Sequence, residues 1–201
     1  MRVVLATANP GKQREFAALL APHGLELVLQ SQLGVDSAAE TGASFAANAL
    51  LKAAHAAQVT GLPALADDSG LEVDALDGRP GVHSARYAGE QATDADNNAR
   101  LLADLAAVPD ERRGARYRCV LALVRGRDDP APIFAHGEWR GRIVRVAAGD
   151  GGFGYDPCFV PAGLQVTAAQ LSADDKNHRS HRGQALRALA TQLAAEQMTW
   201  F

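Results

Sequence analysis

Residues 65–71 read Leu-Ala-Asp-Asp-Ser-Gly-Leu, with two adjacent carboxylates directly after an apolar run that begins at Leu62. An alternating segment, residues 71–75, follows. This pattern predicts a buried strand that carries acids to the edge of a sheet. Buried carboxylates are costly unless they are paired or bind a metal, and Mg²⁺ is commonly held by one or two carboxylates together with substrate phosphates. The alternative is a hairpin turn, since Asp, Ser and Gly all favour turns.

Length and composition predict a globular protein with a substantial core. The chain has 201 residues, of which 47% are hydrophobic and 21% are charged, so we expect one domain over residues 1–201 or two closely joined lobes. The net charge of −3 argues against a nucleic-acid partner, because phosphate-backbone affinity comes mainly from clustered Lys and Arg.

The chain gives no sign of export or of a membrane partner. Its apolar runs fall short of the roughly 20 residues that span a bilayer, and the first of them is too short for a signal peptide. Cys119 and Cys158 suggest neither a disulfide framework nor a zinc site. We therefore predict a reduced, cytoplasmic setting.

A strand over Arg2–Ala6 and a helix over Gly11–Ala21, with Phe16, Leu19 and Leu20 on one face, are predicted near the start of the chain. The junction consists of Thr7, Ala8, Asn9, Pro10, Gly11 and Lys12. Asn9 can cap the helix and Pro10 suits its first position. A capped helix start beside a lysine favours anion binding, although an ordinary turn between strand and helix would look similar.

The next predicted elements are a strand over Leu25–Leu29 and a helix over Ser44–Val59. Asn48, Lys52 and His55 share one face of this helix. A polar face is commonly just solvated. The short connection to the acidic strand nevertheless allows this face to fold back against Asp67 and Asp68, and it makes Glu40 a plausible second acid.

The second half of the chain is predicted to be richer in strands. A helix over Thr93–Ala107 with Thr93 as its cap is followed by strands over Ala115–Val124, Ile133–Trp139 and Arg142–Val146, joined as antiparallel hairpins. Phe153 and Tyr155 then lie among glycines. They suggest a flat apolar surface for a planar base, and the alternative is a glycine-rich hairpin.

Lys176 and the run Ser180-His181-Arg182-Gly183 precede a final amphipathic helix. Ser180 can cap this helix, which places His181 and Arg182 in its first turn. Cations there oppose the helix dipole, so the pattern hints at anion binding. Bracing of the final helix is the alternative.

Together these segments resemble the inosine triphosphate pyrophosphatase family. The matching motifs are Thr7-x-Asn9-x-x-Lys12, Ala66-Asp67-Asp68-Ser69-Gly70-Leu71, residues 80–87 (Pro-Gly-Val-His-Ser-Ala-Arg-Tyr), residues 152–157 (Gly-Phe-Gly-Tyr-Asp-Pro) and Ser180-His181-Arg182-Gly183. They occur in the family's order and span residues 7–183. Ala8 is a departure, because the family commonly has glycine at this position.

The resemblance implies an α/β fold, with an elongated mixed central sheet flanked by helices and two lobes around a nucleotide-binding cleft, in a homodimer. It also implies Mg²⁺-dependent hydrolysis of non-canonical purine nucleoside triphosphates (ITP, dITP, XTP, dXTP) to monophosphate and pyrophosphate. Asp68 would be the catalytic base, and Glu40 and Asp68 would bind the metal. The substrate would contact the segments Thr7–Lys12 (Thr7, Ala8, Asn9, Pro10, Gly11, Lys12) and Phe153–Asp156 (Phe153, Gly154, Tyr155, Asp156), together with Lys52, Ser69, Lys176, His181 and Arg182.

Two other functions are compatible with the same residues. One is a pyrophosphatase for modified pyrimidine nucleotides or dTTP, and the other is a nucleotide-binding regulator without turnover. For the purine enzyme we expect donors in Ser180-His181-Arg182 to recognise the 6-oxo group, because sites built to hydrogen-bond one substrate group reject analogues that lack it.

Overall fold

The structure, a computed structural model, describes residues 2–20 and 26–195, with the side chains of Leu19 and Leu20 outside the described part. Its strands form one sheet in the order β2-β1-β3-β4-β5-β6. Their bounds are β1 Arg2–Leu5, β2 Glu26–Leu29, β3 Ala64–Val73, β4 Gly114–Val124, β5 Ile133–Ile143 and β6 Phe159–Pro161. Strand β1 pairs in parallel with β2 and β3, whereas β5 and β6 are antiparallel. The predicted mixed sheet is therefore confirmed.

In the described part of the chain, three α-helices lie in the intervals between the first four strands, and two follow the last strand. They are α1 Pro10–Leu20, α2 Phe45–Thr60, α3 Asp94–Asp104, α4 Ala173–Arg179 and α5 His181–Ala195. The predicted cap of α3 is confirmed, since Thr93 accepts from Asp96 N, and α2 is also capped, since Ser44 accepts from Ala47 N. Helix α4 was not predicted. The predictions for Ala21, Leu25 and the side chains of Leu19 and Leu20 fall outside the described residues.

Strand β3 confirms the predicted buried strand for the acidic segment and excludes the alternative of a hairpin turn. The strand runs without a break from Ala64 to Val73, and it lies inside the sheet between β1 and β4. The acids are thus neither in a hairpin turn nor on an edge strand. Strand β1 pairs only with Ala64 and Leu65 of β3 and ends at Leu5. Asp67 consequently lies just beyond the carboxyl end of β1, where the loop that begins at Thr7 leaves the sheet.

Strand β5 corrects a second prediction, because one continuous strand replaces the two predicted over residues 133–139 and 142–146. Gly141 lies within the strand, where a Cβ would collide with the Val160 carbonyl oxygen and the Phe159 ring. Glycine at this position therefore permits the close approach of β6.

The chain divides into two compact units. Within the described residues, unit 1 comprises 2–20, 26–68, 119–137 and 182–195, and unit 2 comprises 69–118 and 138–181. Each unit has its own buried core, and each core contains one of the two free cysteines: Cys119 in unit 1 and Cys158 in unit 2. Burial raises the pKa of Cys119 to about 12 and that of Cys158 to about 11.

Within the described ranges, no helix is both long and apolar enough to cross a bilayer.

Candidate active site

The first feature of unit 1 is a buried carboxylate surrounded by cations. Asp67 is 1% exposed, and its Oδ2 lies 3.1 Å from Lys12 Nζ and 3.1 Å from Arg182 Nη2. The same Arg182 guanidinium also pairs with Glu15 through its other terminal nitrogen. Burial alone would raise the pKa of Asp67, but the charges of Lys12 and Arg182 outweigh burial and hold it well below its ordinary value. Asp67 is therefore ionised.

Lys12 is positioned by a capped helix start, as the sequence predicted. Asn9 Oδ1 accepts a hydrogen bond from Lys12 N at 3.0 Å, and Thr7 Oγ1 accepts from Asn9 N at 3.2 Å. Gln13 Nε2 donates to the Thr7 carbonyl at 3.0 Å. Pro10 occupies the first helical position, where a backbone N–H would have no partner within the helix, so proline loses no hydrogen bond there. The Thr7–Lys12 loop is thus fixed beside Asp67.

Asp68 belongs to a second group of charges. Lys52 Nζ lies 2.9 Å from Asp68 Oδ1 and 2.8 Å from Glu40 Oε1. Burial raises the pKa of Asp68, and the attraction of Lys52 offsets only part of this effect. Burial opposes the charge on Lys52, but the nearby carboxylates outweigh it and raise the pKa of the ammonium. The predicted approach of α2 to the acidic strand is therefore observed.

Asn48, on the polar face predicted for α2, is a further functional candidate outside the predicted site. Its side chain is buried, donates from Nδ2 to Asp68 Oδ2 at 3.1 Å and accepts from Gly42 N at 2.7 Å. Asn48 thereby ties the loop that carries Glu40 to the acidic strand. Its position one turn before Lys52 on α2 was the available sequence signal.

Glu40 and Asp68 can hold a divalent cation. One oxygen of each carboxylate converges on the same point, which the Lys52 ammonium occupies. Among the described residues no group of three or more His, Cys, Asp and Glu side chains could hold a metal alone. Two carboxylates completed by substrate phosphates and water are nevertheless a usual Mg²⁺ environment, so the donor set fits this ion.

Asp156 organises the polar residues of unit 2. Its Oδ2 accepts from Lys176 Nζ at 2.5 Å and from Phe153 N at 2.9 Å, and its Oδ1 accepts from Tyr117 Oη at 3.3 Å. Lys176 Nζ also lies 4.6 Å from the centre of the Phe153 ring. Asp156 is itself buried. It therefore orients Lys176 and the Phe153 backbone from within the protein.

The expected aromatic pair is only half present. Phe153 is partly exposed, but Tyr155 is buried in the core and donates its hydroxyl to the Ser84 carbonyl at 2.7 Å. Gly154 between them is held by α3: Asp94 accepts from its N–H at 2.6 Å and Asn98 donates to its carbonyl at 2.9 Å. These hydrogen bonds hold the loop in place, and Phe153 is its one partly exposed aromatic side chain.

His181 and Arg182, adjacent in sequence, have different surroundings. The His181 ring stacks on Tyr117 with centroids 4.7 Å apart and an angle of 5° between planes. Arg182 is 1% exposed and contacts Asp67 and Glu15. Ser180 directly precedes α5 with an extended backbone, as expected of a cap. Arg182, which is predicted to contact the substrate, neutralises these buried acids in the structure.

Sequence reasoning did not identify Glu15, Tyr117, Asp94 and Asn98. Glu15 follows Lys12 by three residues, a spacing that places both on one side of α1, but its partner Arg182 lies 167 positions away. Tyr117 is one of several apolar positions in a strand. Nothing local distinguishes it, because its role depends on tertiary contacts.

These features define a class of protein: an α/β protein in which paired carboxylates, lysines and a capped helix start meet beyond the carboxyl end of a parallel strand. This arrangement suits a metal-bound polyphosphate. The chain belongs to the Ham1 family, whose model matches residues 3–192.

Relatives and solved structures agree with this membership. A protein of Pectobacterium atrosepticum named dITP/XTP pyrophosphatase is 58% identical over 188 residues, which cover 94% of this chain and 95% of the relative. A relative of the same name from Photorhabdus laumondii is 59% identical over 186 residues, covering 92% and 94%. A HAM1 protein structure from Coxiella burnetii matches with a TM-score of 0.90 and 47% identity, covering 97% of this chain and 99% of that one.

Proposed function

We propose that this chain hydrolyses non-canonical purine nucleoside triphosphates, ITP or dITP and XTP or dXTP, to nucleoside monophosphate and pyrophosphate. Relatives 58–59% identical over nearly their whole length carry the name dITP/XTP pyrophosphatase. The structural observation that carries the proposal is the pair of charge clusters at two adjacent carboxylates: Asp67 binds Lys12, and Asp68 shares Lys52 with Glu40.

The Thr7–Lys12 loop is proposed to bind the triphosphate. Free N–H groups at the start of a helix attract phosphate oxygens, and the loop residues Thr7, Ala8, Asn9, Pro10 and Gly11 lie at that start. Lys12 adds a positive charge. Asp67 restrains this lysine at 3.1 Å, which reduces the entropy lost when phosphate binds.

Asp68 is proposed to act as the general base. It takes a proton from water as the water oxygen bonds to the α-phosphorus, and the bond between that phosphorus and the bridging oxygen breaks to release pyrophosphate. A pKa raised by burial brings the carboxyl closer to the operating pH, which favours this role. Lys12 and Lys52 would stabilise the charge on the leaving group. Mg²⁺ held by Glu40 and Asp68 would supply charge neutralisation at the phosphates.

Unit 2 is proposed to recognise the nucleoside. The exposed part of Phe153 offers a face for a planar base, while Lys176, held by Asp156, and His181 supply donors. Ser69 is half-buried directly after Asp68 in β3 and is proposed to contact the substrate. Gly154, Tyr155 and Asp156 would then act through the shape of the loop. Arg182 remains a proposed 6-oxo donor; that role requires it to exchange a carboxylate partner for the base.

We further propose a single functional domain, a homodimer and a cytoplasmic location. Two free, buried thiols are compatible with a reducing compartment. Light scattering coupled to size-exclusion chromatography should give a mass twice the 21.1 kDa of the chain. A mass of one chain at micromolar concentration would contradict the dimer.

The function is tested with a substrate panel. Pyrophosphate release is measured with Mg²⁺ for ITP, dITP and XTP against ATP, GTP, CTP and dTTP. We expect the first three to have the highest kcat/KM. Preference for dTTP or pyrimidines would favour the related pyrophosphatase, and binding without release would indicate a regulator.

Asp68→Asn tests the proposed role of Asp68 as the general base. General bases contribute about 10² to 10⁴ in rate, so we expect kcat to fall within that range while the urea unfolding midpoint stays near that of the wild type. Asp128→Asn, at a carboxylate that is 92% exposed, is the control and should retain full activity. A variant of Asp68 that keeps more than about a tenth of kcat would exclude the base assignment.

A further inference from the structure

Tyr117 is a buried aromatic residue in β4 whose ring contacts three other rings. It stacks on His181 at 4.7 Å, meets Phe159 edge-on at 4.8 Å and lies 6.5 Å from Trp139. Trp139 and Phe159 also contact each other at 5.4 Å. Tyr117 is therefore held by the core on one side while it supports the His181 imidazole on another.

The stacking on Tyr117 fixes the plane of the His181 ring. An angle of 5° between the two ring planes means that one face of the imidazole is covered by Tyr117. Hydrogen bonds of histidine come from its ring nitrogens, which lie at the ring edge and in the ring plane. Whatever sets the plane of His181 therefore sets the direction in which its nitrogens meet a ligand.

The hydroxyl of Tyr117 contributes less than its ring. Its distance of 3.3 Å from Asp156 Oδ1 exceeds the usual O–H···O range. Asp156 is held more closely by Lys176 at 2.5 Å and by Phe153 N at 2.9 Å. Removal of the hydroxyl alone should therefore leave Asp156 in place.

We propose that Tyr117 is a positioning residue for base recognition: its ring, rather than its hydroxyl, holds the imidazole of His181 in the plane that discriminates between purine bases. The proposal rests on the proposed function, in which His181 contacts the base. It adds a residue that touches no substrate and acts through the histidine.

The test compares two substitutions at this position. Tyr117→Phe keeps the stacked ring, whereas Tyr117→Leu removes the planar face. The measured quantity is the ratio of kcat/KM for ITP to that for ATP. We expect Tyr117→Leu to lower this ratio about three- to tenfold, the range that corresponds to aromatic pair energies, and Tyr117→Phe to stay within about twofold of the wild type.

Trp139→Leu is the matched control for lost packing. Tyr117 and Trp139 are each 7% exposed and belong to the same aromatic cluster. Trp139→Leu should lower the thermal midpoint but leave the ITP-to-ATP ratio unchanged. Tyr117→Met, whose longer and more flexible side chain adapts to the gap without a planar face, replaces Tyr117→Leu if the latter fails to fold. The proposal is overturned if Tyr117→Leu or Tyr117→Met has the same ITP-to-ATP ratio as Trp139→Leu.

A second measurement does not depend on turnover. A ring stacked at 4.7 Å shifts the imidazole proton resonances of His181 upfield, so these resonances should move downfield in Tyr117→Leu and stay in place in Tyr117→Phe. Unchanged resonances in Tyr117→Leu would also overturn the proposal. If wild-type protein releases no pyrophosphate from ITP, the proposed function fails, whereas a retained ratio in an active variant refutes only the role of Tyr117.

Discussion

Replacement of Arg182 by Met should destabilise the protein far more than the loss of an ordinary surface charge. Arg182 and Asp67 are each 1% exposed, and Glu15 pairs with the same guanidinium. Methionine retains much of the apolar stem but leaves two buried carboxylates without this cation. Removing one partner of a buried ion pair typically costs about 3–5 kcal/mol. Lys12 still neutralises part of the charge on Asp67, so we expect a loss near the lower end of that range.

The free energy of unfolding is measured by urea denaturation at pH 7. Arg100→Met, which removes a 56% exposed arginine from a surface pair with Asp104, is the control and should change it by about 0–1 kcal/mol. A loss of about 3 kcal/mol corresponds to a fall in thermal midpoint of roughly 6–12 °C for a chain of this size. If Arg182→Met costs no more than Arg100→Met, the buried network does not stabilise the fold and our reasoning is wrong.

The same experiment has a definite pH dependence. The pKa of Asp67 in the folded protein is below its ordinary value of 3.8, so its ion pairs contribute stability that is fully present above that value and is lost as the pH falls towards the folded pKa. Arg182→Met removes part of this contribution. The difference between wild type and variant should therefore be largest near neutral pH and should shrink in acid; a difference that grows as the pH falls would contradict the assignment.

Three further predictions follow from other contacts. Hydrolysis of ITP in ¹⁸O-water should label the monophosphate, whereas label in pyrophosphate would mean attack at the β-phosphorus. Asn48→Ala should lower stability by about 1–3 kcal/mol and lower kcat more than it raises KM, because Asp68 loses a donor; an effect on KM alone would be contrary evidence. Hydrogen bonds from Arg125 lower the pKa of Asp129 to about 2, so Asp129→Asn should lower the free energy of unfolding at pH 7 by about 1–2 kcal/mol, after allowance for the exposure of Arg125. The difference between wild type and variant should vanish only as the pH falls from 4 towards 2. A difference that is the same at every pH would refute this origin.

Local signals predicted much of the fold. The first junction was predictable because Asn9 and Pro10 specify a helix start within a few residues, and Thr93 marks another in the same way. Helix α4 is only seven residues long, too short to show apolar periodicity.

The acidic strand was predicted, but the contacts that stabilise it were not. Asp-Asp-Ser-Gly favours a turn, yet Asp67 and Asp68 lie inside a buried strand because Lys12, Lys52 and Arg182 supply the compensating charge. These cations come from three distant parts of the chain. The same holds for the pairing of Arg182 with Glu15. Sequence reasoning could select the charged residues, but it could not determine which of them pair with one another and which face a ligand.

The two cysteines give the protein a built-in pair of reporters. Only a thiolate reacts readily with disulfide reagents, and both thiols are buried and have raised pKa values. Each therefore becomes reactive only when the structure around it opens. Because Cys119 belongs to unit 1 and Cys158 to unit 2, the two labelling rates under native conditions give separate opening free energies for the two units. Peptide mapping of the labelled protein can thus tell whether nucleotide protects one half of the molecule or both, without any engineered probe.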